Sequence, residues 1–371
     1  MEAVKFPGRV ALQQRVLPAY RAPFFDALAD ACAGGLSLFA GRPLPVEHIN
    51  TIEHLQVAHH RLAHNLHLLH PGSPLYQCWQ RGILEWLQDW DPHALIVEAN
   101  PRYPSTKLAV RWMHTRRRPV IGWGLGAPPL HGALGVWRRR ARIRFIKSMD
   151  GLISYSQRGA LEYGALGFPA ERIFVAPNAV APSPKKAPPK RPNSFNGRPA
   201  VLFVGRLQAR KRIDNLLRAC AALPEALQPR LWIVGDGPAR SDFQAQAGEI
   251  FPQAEFTGAV YGAELDEYFK AADLFVLPGT GGLAVQQAMT FGLPVIVAQG
   301  DGTQDDLVRP QNGWQVPPDN LEALLEAMTS ALSDQQRLRR MGAASFTIVS
   351  EEVNLERMVE VFVEALNTVL R

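Results

Sequence analysis

Two cationic side chains follow the first apolar run in the second half of the chain. Residues 200–204 are apolar, and Gly205 and Arg206 come directly after them, with Lys211 a few positions later. An arginine and a lysine beside a helix start can neutralise phosphate oxygens, because both carry charged hydrogen-bond donors. This spacing predicts a diphosphate site, and a surface salt bridge is the alternative role for Arg206.

A glycine-rich loop in the same half has a related chemistry. Residues 278–283 have the sequence PGTGGL, follow the apolar run 274–277 and precede a predicted helix. Uncovered backbone N–H groups at a helix start can receive an anion. A glycine after a strand is more often a turn residue, so the order of several such loops carries more information than any one of them.

Six segments occur in a characteristic order. They are 205–207 (GRL) with Lys211, 235–238 (GDGP), 256–258 (FTG), 272–278 (ADLFVLP), 288–295 (AMTFGLPV) and 302–313. In this order they resemble the retaining glycosyltransferases of family four, or glycosyl transferases group 1. Residues 20–25 (YRAPFF) resemble the opening of bacterial members that assemble surface polysaccharides on lipid carriers.

Short apolar runs alternate with helical stretches, such as those predicted over 75–87 and 105–114, which predicts an α/β fold with parallel sheets. The resemblance implies the GT-B fold, in which two doubly wound Rossmann-like domains face a central cleft. We expect an N-terminal acceptor-binding domain at 1–180 and a nucleotide-sugar domain at 199–350. The proline-rich segment 181–198 predicts a linker, and residues 351–371 a helix that packs back on the first domain.

The resemblance also implies roles in the second domain. Arg206 and Lys211 would neutralise the diphosphate of a UDP- or GDP-sugar and stabilise the leaving group. The remaining residues expected at the nucleotide-sugar are Gly205, Phe256, Thr257, Gly281, Gly282, Leu283 and Gln287. The nucleotide-sugar is a substrate, and no cofactor is expected.

Three positions depart from the family pattern. Gly279 and Gln287 stand where the family usually has two glutamates, and Leu125 stands where its first domain often has a histidine. A glutamine carbonyl can still accept hydrogen bonds from ribose hydroxyls, whereas glycine offers the donor sugar no side chain. Because the leaving diphosphate is thought to assist deprotonation of the acceptor in this family, these losses are compatible with catalysis.

The catalytic contribution of the first domain stays open in the sequence. His131 lies six residues after Leu125 and is one candidate. Glu98 and Asn100 directly follow an apolar run and are the others, although a polar residue at a strand end is often a helix cap or a turn former.

A basic stretch marks the first domain. Between Pro101 and Asp150 there are twelve lysines or arginines and a single acidic residue. In a helix over 134–147, Leu134, Trp137, Ala141 and Phe145 share one face, which suits peripheral contact with an anionic membrane. A solvated helix flank is the alternative, and no nucleic-acid-binding module accompanies the charge.

Composition limits the remaining classes. The chain has 371 residues, 47% of them hydrophobic, and no apolar run approaches the roughly 18 residues of a membrane span. The three cysteines lack the spacing of a zinc site, and most of the histidines have no cysteine or carboxylate at ligand spacing, so we expect no metal. A cytoplasmic protein, at most associated with the inner face of the cell membrane, is expected.

These observations predict a glycosyltransferase that transfers a sugar with retention to a saccharide or lipid-linked saccharide in surface polysaccharide or glycolipid synthesis. Two other classes remain as alternatives. One is a sugar-nucleotide epimerase, and the other is a non-catalytic protein that binds a nucleotide-sugar or a partner.

Overall fold

The protein folds into two compact units. The computed structural model describes residues 5–47, 49–130, 135–195, 197–300 and 302–370. Met1–Val180 and Leu355–Arg371 form the first unit, and Ala181–Asn354 form the second.

The first unit contains an eight-stranded sheet with the order β4-β3-β2-β1-β5-β6-β7-β8. Its strands are β1 (Val10–Val16), β2 (Leu36–Gly41), β3 (His59–Leu68), β4 (Gln77–Arg81), β5 (Ala94–Glu98), β6 (Val120–Gly124), β7 (Gly151–Ser154) and β8 (Ile173–Val175). All neighbours are parallel except β3 and β4. Strands β5, β6 and β7 are almost entirely buried, because helices cover a parallel sheet from both sides.

Five helices of this unit are α1 (Ala22–Asp30), α2 (Ile83–Trp90), α3 (Pro104–Thr115), α4 (Gly135–Ile146) and α5 (Gln157–Ala165). Proline in the first turn suits the start of α3, since that position needs no N–H donor. Along the chain, β1 leads to β2 on one side, whereas β5 lies on its other side. The carboxyl ends of β1 and β5 therefore flank the point at which the strand order reverses, where doubly wound sheets bind ligands.

The helix predicted over 75–87 is wrong in its first half. Residues of β4 alternate between buried and exposed and pair with β3, so Cys78 and Gln80 point inward. The side-chain amide of Gln13 donates to the side-chain oxygen of Gln80 at 2.5 Å, a buried contact on the inward face of β4. The helix begins only at Ile83, after Gly82 with a positive φ of 89°.

The second unit contains a six-stranded parallel sheet with the order β11-β10-β9-β12-β13-β14. Its strands are β9 (Ala200–Val204), β10 (Arg230–Val234), β11 (Ala254–Gly258), β12 (Leu274–Leu277), β13 (Val295–Ala298) and β14 (Gly313–Val316). Its helices are α6 (Ile213–Ala222), α7 (Arg240–Ile250), α8 (Gly262–Ala271), α9 (Ala284–Thr290), α10 (Thr303–Leu307), α11 (Leu321–Ser333) and α12 (Gln335–Glu351). Here β9 and β12 flank the reversal point.

The segment predicted as a linker contains no helix or strand in its described residues, 181–195 and 197–198. Arg191 attaches it to the second unit by donating to four backbone carbonyls. The acceptors are Phe269 at 2.7 Å, Ala272 at 2.8 Å, Phe291 at 2.7 Å and Gly292 at 3.4 Å. This part of the chain is therefore fixed on the second unit.

The last helix, α13 (Leu355–Leu370), belongs to the first unit. The ring centroid of Phe362 lies 4.9 Å from that of Phe24 and 5.0 Å from that of Trp123, in edge-on contacts. α13 begins later than the predicted position 351, because α12 continues to Glu351.

Candidate functional site

The loops after β9 and β12 are joined at the reversal point of the second sheet. The ammonium group of Lys211 donates to the carbonyls of Thr280 at 2.7 Å and Gly281 at 2.9 Å. In return, the N–H of Thr280 donates to the carbonyl of Arg210 at 3.1 Å. Sequence positions some seventy residues apart therefore meet, and Lys211 is buried between them.

Burial, and secondarily the nearby Arg210, lower the pKa of Lys211 to about 8. A desolvated ammonium group beside another cation gains more from an anion than a solvated lysine does. A Cβ atom on Gly281 would lie 3.6 Å from Nη1 of Arg210 and 3.8 Å from Nζ of Lys211. The glycine loop thus passes within reach of two cations, which is a suitable environment for a diphosphate.

Gly279 is fixed by the same contact. A Cβ atom on this residue would lie 2.2 Å from the carbonyl oxygen of Arg210 and 2.5 Å from Cα of Lys211. No side chain fits there without a backbone shift, so the family's glutamate cannot be accommodated in this arrangement. Gln287 lies half-buried on α9.

The other expected nucleotide residues lie along the same edge of the sheet. Arg206 is exposed on the loop after β9, and Leu283 is exposed ahead of α9. Phe256 and Thr257 are half-buried on β11, which is the outer strand next to β10.

Close backbone approach connects these strands. The N–H of Gly205 donates to Val234 at 3.0 Å, and the N–H of Gly235 donates to Gly258 at 2.8 Å. A Cβ atom on Gly235 would lie 2.0 Å from the carbonyl oxygen of Gly205. Glycine at position 235 thus allows the ends of β9, β10 and β11 to pack side by side.

The first unit has a separate cavity at its own reversal point. It has a volume of about 930 Å³ and extends past the carboxyl ends of β1, β5 and β6 to Tyr155 after β7. Glu98, Asn100 and Leu125 all line it, so these three sequence-derived positions come together. His131 lies outside the described residues.

Glu98 is held from two sides. Its carboxylate accepts the backbone N–H of Arg15 at 2.5 Å, and its own N–H donates to the side-chain oxygen of Gln13 at 3.1 Å. Burial raises the pKa of Glu98, while the hydrogen bond from Arg15 opposes the rise. Asn100 accepts from N–H and Nε of Arg102 at 3.2 and 3.3 Å, so it positions this arginine as a turn former.

The sequence alone did not show that several other residues belong to the same cavity. Arg102, Lys107, Arg138 and Arg142 line the cavity, as do Tyr76 and Tyr103. The four cations fall in the basic stretch of residues 101–150, so the signal was present in the charge pattern. Their convergence depends on the packing of α3 and α4, which that pattern does not give.

α4 differs from the single apolar face predicted for residues 134–147. Phe145 packs in the hydrophobic core of the first unit, whereas Trp137 is 72% and Val136 is 63% exposed. Leu134 lies outside the described residues. The C-terminal end of α4 is therefore anchored in the core, and its N-terminal end presents an exposed apolar pair next to arginines.

Membrane-spanning helices and metal-binding clusters are both absent from the described residues. No helix there is long and apolar enough to cross a bilayer. No group of three or more His, Cys, Asp or Glu side chains there could hold a metal ion.

Comparison with known families identifies the type of the second unit. Residues 185–347 match the family model described as Glycosyl transferases group 1. The chain is 35% identical over 184 residues to a GDP-mannose-dependent alpha-mannosyltransferase of Mycobacterium tuberculosis, covering 47% of this chain and 46% of the relative. It is 32% identical over 156 residues to sulfoquinovosyl transferase SQD2 of Arabidopsis thaliana, covering 40% and 29%. The chain thus spans less than half the length of these curated relatives.

Solved structures resemble the whole chain. HepE of Anabaena in complex with UDP has a TM-score of 0.68 at 17% identity, covering 97% of this chain and 99% of that one. Sucrose-phosphate synthase of Thermosynechococcus elongatus has a TM-score of 0.69 at 18% identity, covering 97% and 98%. At these identities the likeness establishes the fold, and it confirms the predicted α/β architecture with two Rossmann-like domains.

Proposed function

The chain carries a Glycosyl transferases group 1 domain in a GT-B fold, and we propose that it is a family-four glycosyltransferase with a nucleotide-diphosphate sugar as donor. The donor binds the second unit, and a saccharide or lipid-linked saccharide acceptor binds the first. The product is a surface polysaccharide or a glycolipid, formed with retention and without a metal ion.

One observation supports the proposed position of the donor site. Lys211 is buried between the loops after β9 and β12 and contacts the backbone of Thr280 and Gly281. A diphosphate on this loop would give the desolvated ammonium group an anionic partner, and Arg206 would supply a second cation. GDP-mannose is the first donor to test because the mycobacterial relative is a GDP-mannose-dependent alpha-mannosyltransferase. UDP-hexoses are next because HepE was solved with UDP.

Transfer then requires little covalent chemistry from the protein. The bond between the anomeric carbon and the phosphate oxygen breaks, and an acceptor hydroxyl forms the new bond on the same face of the sugar. The hydroxyl proton passes to an oxygen of the departing diphosphate, whose charge Arg206 and Lys211 stabilise. Glu98 and Asn100 hold the acceptor in the first unit, which orients the attacking hydroxyl.

A thermal-shift experiment tests the donor site. UDP-, GDP-, dTDP- and ADP-sugars are added to the wild type and to Arg206→Ala and Lys211→Ala. At a donor concentration of about 100 Kd, the wild type should gain about 2.7 kcal/mol. Both variants should lose this gain. Arg218→Ala on α6 and Lys270→Ala on α8 are exposed controls in the same unit and should keep it.

Two outcomes would contradict the donor site. A wild type that no nucleotide-sugar stabilises would exclude donor binding, and variants that respond as the wild type does would exclude this location. Product formation from the donor that binds then separates the transferase from a protein that only holds the nucleotide-sugar.

We also propose that α4 of the first unit contacts the membrane. The exposed Val136 and Trp137 adjoin Arg139, Arg140 and Arg144 on α4, and all five side chains are solvent-exposed. Aromatic and aliphatic side chains next to arginines favour the interface of an anionic bilayer. Such contact would bring a lipid-linked acceptor to the first unit.

A further inference from the structure

The cavity of the first unit has an unbalanced charge. Its lining includes five cationic side chains and one carboxylate, that of Glu98. Arg15 already has a partner, because its two terminal nitrogens donate to the carboxylate of Glu47 at 2.9 and 2.7 Å. The remaining four cations are Arg102, Lys107, Arg138 and Arg142.

Within the described part of the chain, none of these four side chains forms an ion pair with a carboxylate, although Glu162 attracts Arg142 and Glu98 attracts Arg102 at longer range. Arg102 donates to the side chain of Asn100, and Arg142 donates to the carbonyl of Pro128 at 2.5 Å. Burial lowers the pKa of Arg142, and repulsion from Arg138 adds to this effect. Like charges held together in a partly desolvated cavity are unfavourable unless an anion joins them.

The helix α4 separates its arginines into two sets. Arg138 and Arg142 are four residues apart, so they project from one face, and both are half-buried at the cavity. Arg139 and Arg140 are exposed and do not line it. Of the arginines on this basic helix, Arg138 and Arg142 therefore face the cavity, whereas Arg139 and Arg140 face solvent.

The rest of the wall suits a sugar. Tyr20 and Tyr155 supply ring surfaces in front of the buried Trp123, with the guanidinium of Arg21 5.4 Å from each of the three ring centroids. Gln14 and Asn100 add amide groups. An aromatic wall with a few polar groups is a common environment for a ligand with both apolar and hydroxyl-bearing faces. The cavity therefore combines one wall for a saccharide with another for a negative charge.

We infer that the acceptor is anionic: a saccharide whose phosphate group binds between Arg102, Lys107, Arg138 and Arg142, with the sugar ring against the aromatic wall. This inference rests on the proposed function, since it names the substrate class of the same acceptor site. The phosphate can belong to a soluble sugar phosphate or to a lipid phosphate. The rest of a lipid molecule has space beyond the cavity, because Lys107 and Ala141 also line a neighbouring groove of about 720 Å³ between α3 and α4.

The test uses the full-length protein and binding probes, so it does not depend on turnover. Glucose 1-phosphate, glucuronic acid, glucose and a short-chain phosphatidic acid are titrated calorimetrically into the wild type. The test variant is Arg138→Gln/Arg142→Gln, and the matched control is Arg116→Gln/Arg117→Gln, two exposed arginines directly after α3 that do not line the cavity. Arg102→Gln, on the loop after β5, probes the cavity from a second element.

A phosphate-bearing probe should bind the wild type at least about tenfold more tightly than glucose, since charge-assisted hydrogen bonds contribute 1.4 kcal/mol or more. Arg138→Gln/Arg142→Gln and Arg102→Gln should each lose about tenfold, while the control stays within about twofold. Comparison of glucose 1-phosphate with phosphatidic acid identifies the source of the phosphate, and glucuronic acid reports whether a carboxylate suffices. The test variant should not be less stable than the control, because it removes repulsion between like charges.

Three results would overturn the inference. They are equal binding of glucose and both phosphates, an equal loss in the control variant, and a preference for glucuronic acid over both phosphates. Arg206→Ala/Lys211→Ala separates the two proposals, because it should keep the phosphate binding of the cavity. If only that variant lost phosphate binding, the phosphate would lie in the donor site and the inference would be overturned. If no nucleotide-sugar bound while the cavity variants behaved as expected, only the proposed donor site would be contradicted.

Discussion

Gly279 is the residue at which the chain departs most from the family pattern, and its surroundings explain the departure. Its backbone packs against the carbonyl of Arg210 and Cα of Lys211, where a Cβ atom would come within 2.5 Å. The loop that carries Lys211 occupies the space that a side chain would need. The loss of the glutamate and the position of Lys211 are thus two aspects of one contact.

We predict that Gly279→Ala destabilises the second unit by about 1 to 3 kcal/mol, because overpacking forces backbone shifts. Urea denaturation measures the change. Gly248→Ala is the matched control: it lies within α7, and an added Cβ would meet no heavy atom of the described chain within 4 Å. The control should gain about 0.5 to 1 kcal/mol from helix propensity. Equal effects of the two substitutions would contradict the steric explanation.

Lys211 should make stability depend on pH. Its pKa falls from 10.5 to about 8 in the folded protein, mainly through burial. Between these two values the unfolded chain binds more protons, so the free energy of unfolding should rise with pH relative to Lys211→Met, by at most about 3 kcal/mol. Below pH 8 the difference between the two proteins should be constant. Parallel stability curves from pH 7 to 10.5 would show that the pKa is not lowered.

At the scale of the element, α4 shows how one basic helix can serve two surfaces. Phe145 anchors its C-terminal end in the core, Arg138 and Arg142 reach the cavity, and Trp137 is exposed. Sequence periodicity gave the helix and its charge. It did not give the division of the arginines, which depends on which side of α4 packs on the sheet.

Vesicle co-sedimentation should distinguish the outer face of α4 from the cavity face. Trp137→Ala and Arg139→Gln/Arg140→Gln should weaken binding to anionic vesicles, with about 1 kcal/mol lost for each arginine. Leu161→Ala on α5 removes another side chain of similar exposure, 75% against 72%, and should have little effect. Higher salt should reduce the wild-type binding, because screening weakens attraction between surface charges. Equal losses for Trp137→Ala and Leu161→Ala would contradict a specific contact through α4.

At the scale of the whole molecule, the chain leaves the first unit after Val180 and returns to it at Leu355. The returning helix contributes Phe362 to a cluster with Phe24 and Trp123, which lie on α1 and β6. The core of the first unit is therefore complete only after the second unit has been synthesised.

Phe362→Ala should destabilise the first unit by about 3 to 5 kcal/mol, because it leaves a cavity in a buried aromatic cluster. Hydrogen exchange followed by mass spectrometry localises the effect: peptides from β6 and β7 should exchange faster, and those from β9 and β12 should be unchanged. Thr368→Ala, at an exposed position of the same helix, is the control. Faster exchange throughout both units would contradict two separate cores.

The sequence by itself determined the α/β class, the order of the loops in the second unit and the basic character of residues 101–150. These features are local or strictly ordered along the chain, so runs of apolar residues, glycines and charges reveal them. The same local reasoning failed over 75–87, because the strand β4 exists through its pairing with β3 and the burial of Gln80 against Gln13. Tertiary pairing outweighed helical periodicity there.

Only the tertiary structure decided which residues share a site. Lys211 and Gly281 meet because β9 and β12 are neighbours in the sheet. Arg102, on the loop after β5, and Arg142, on α4, line the same cavity. Sheet order and helix packing are set by burial across the whole unit, and they bring together residues that are far apart in the chain. The sequence thus supplied the charges, and the fold selected those that face one ligand.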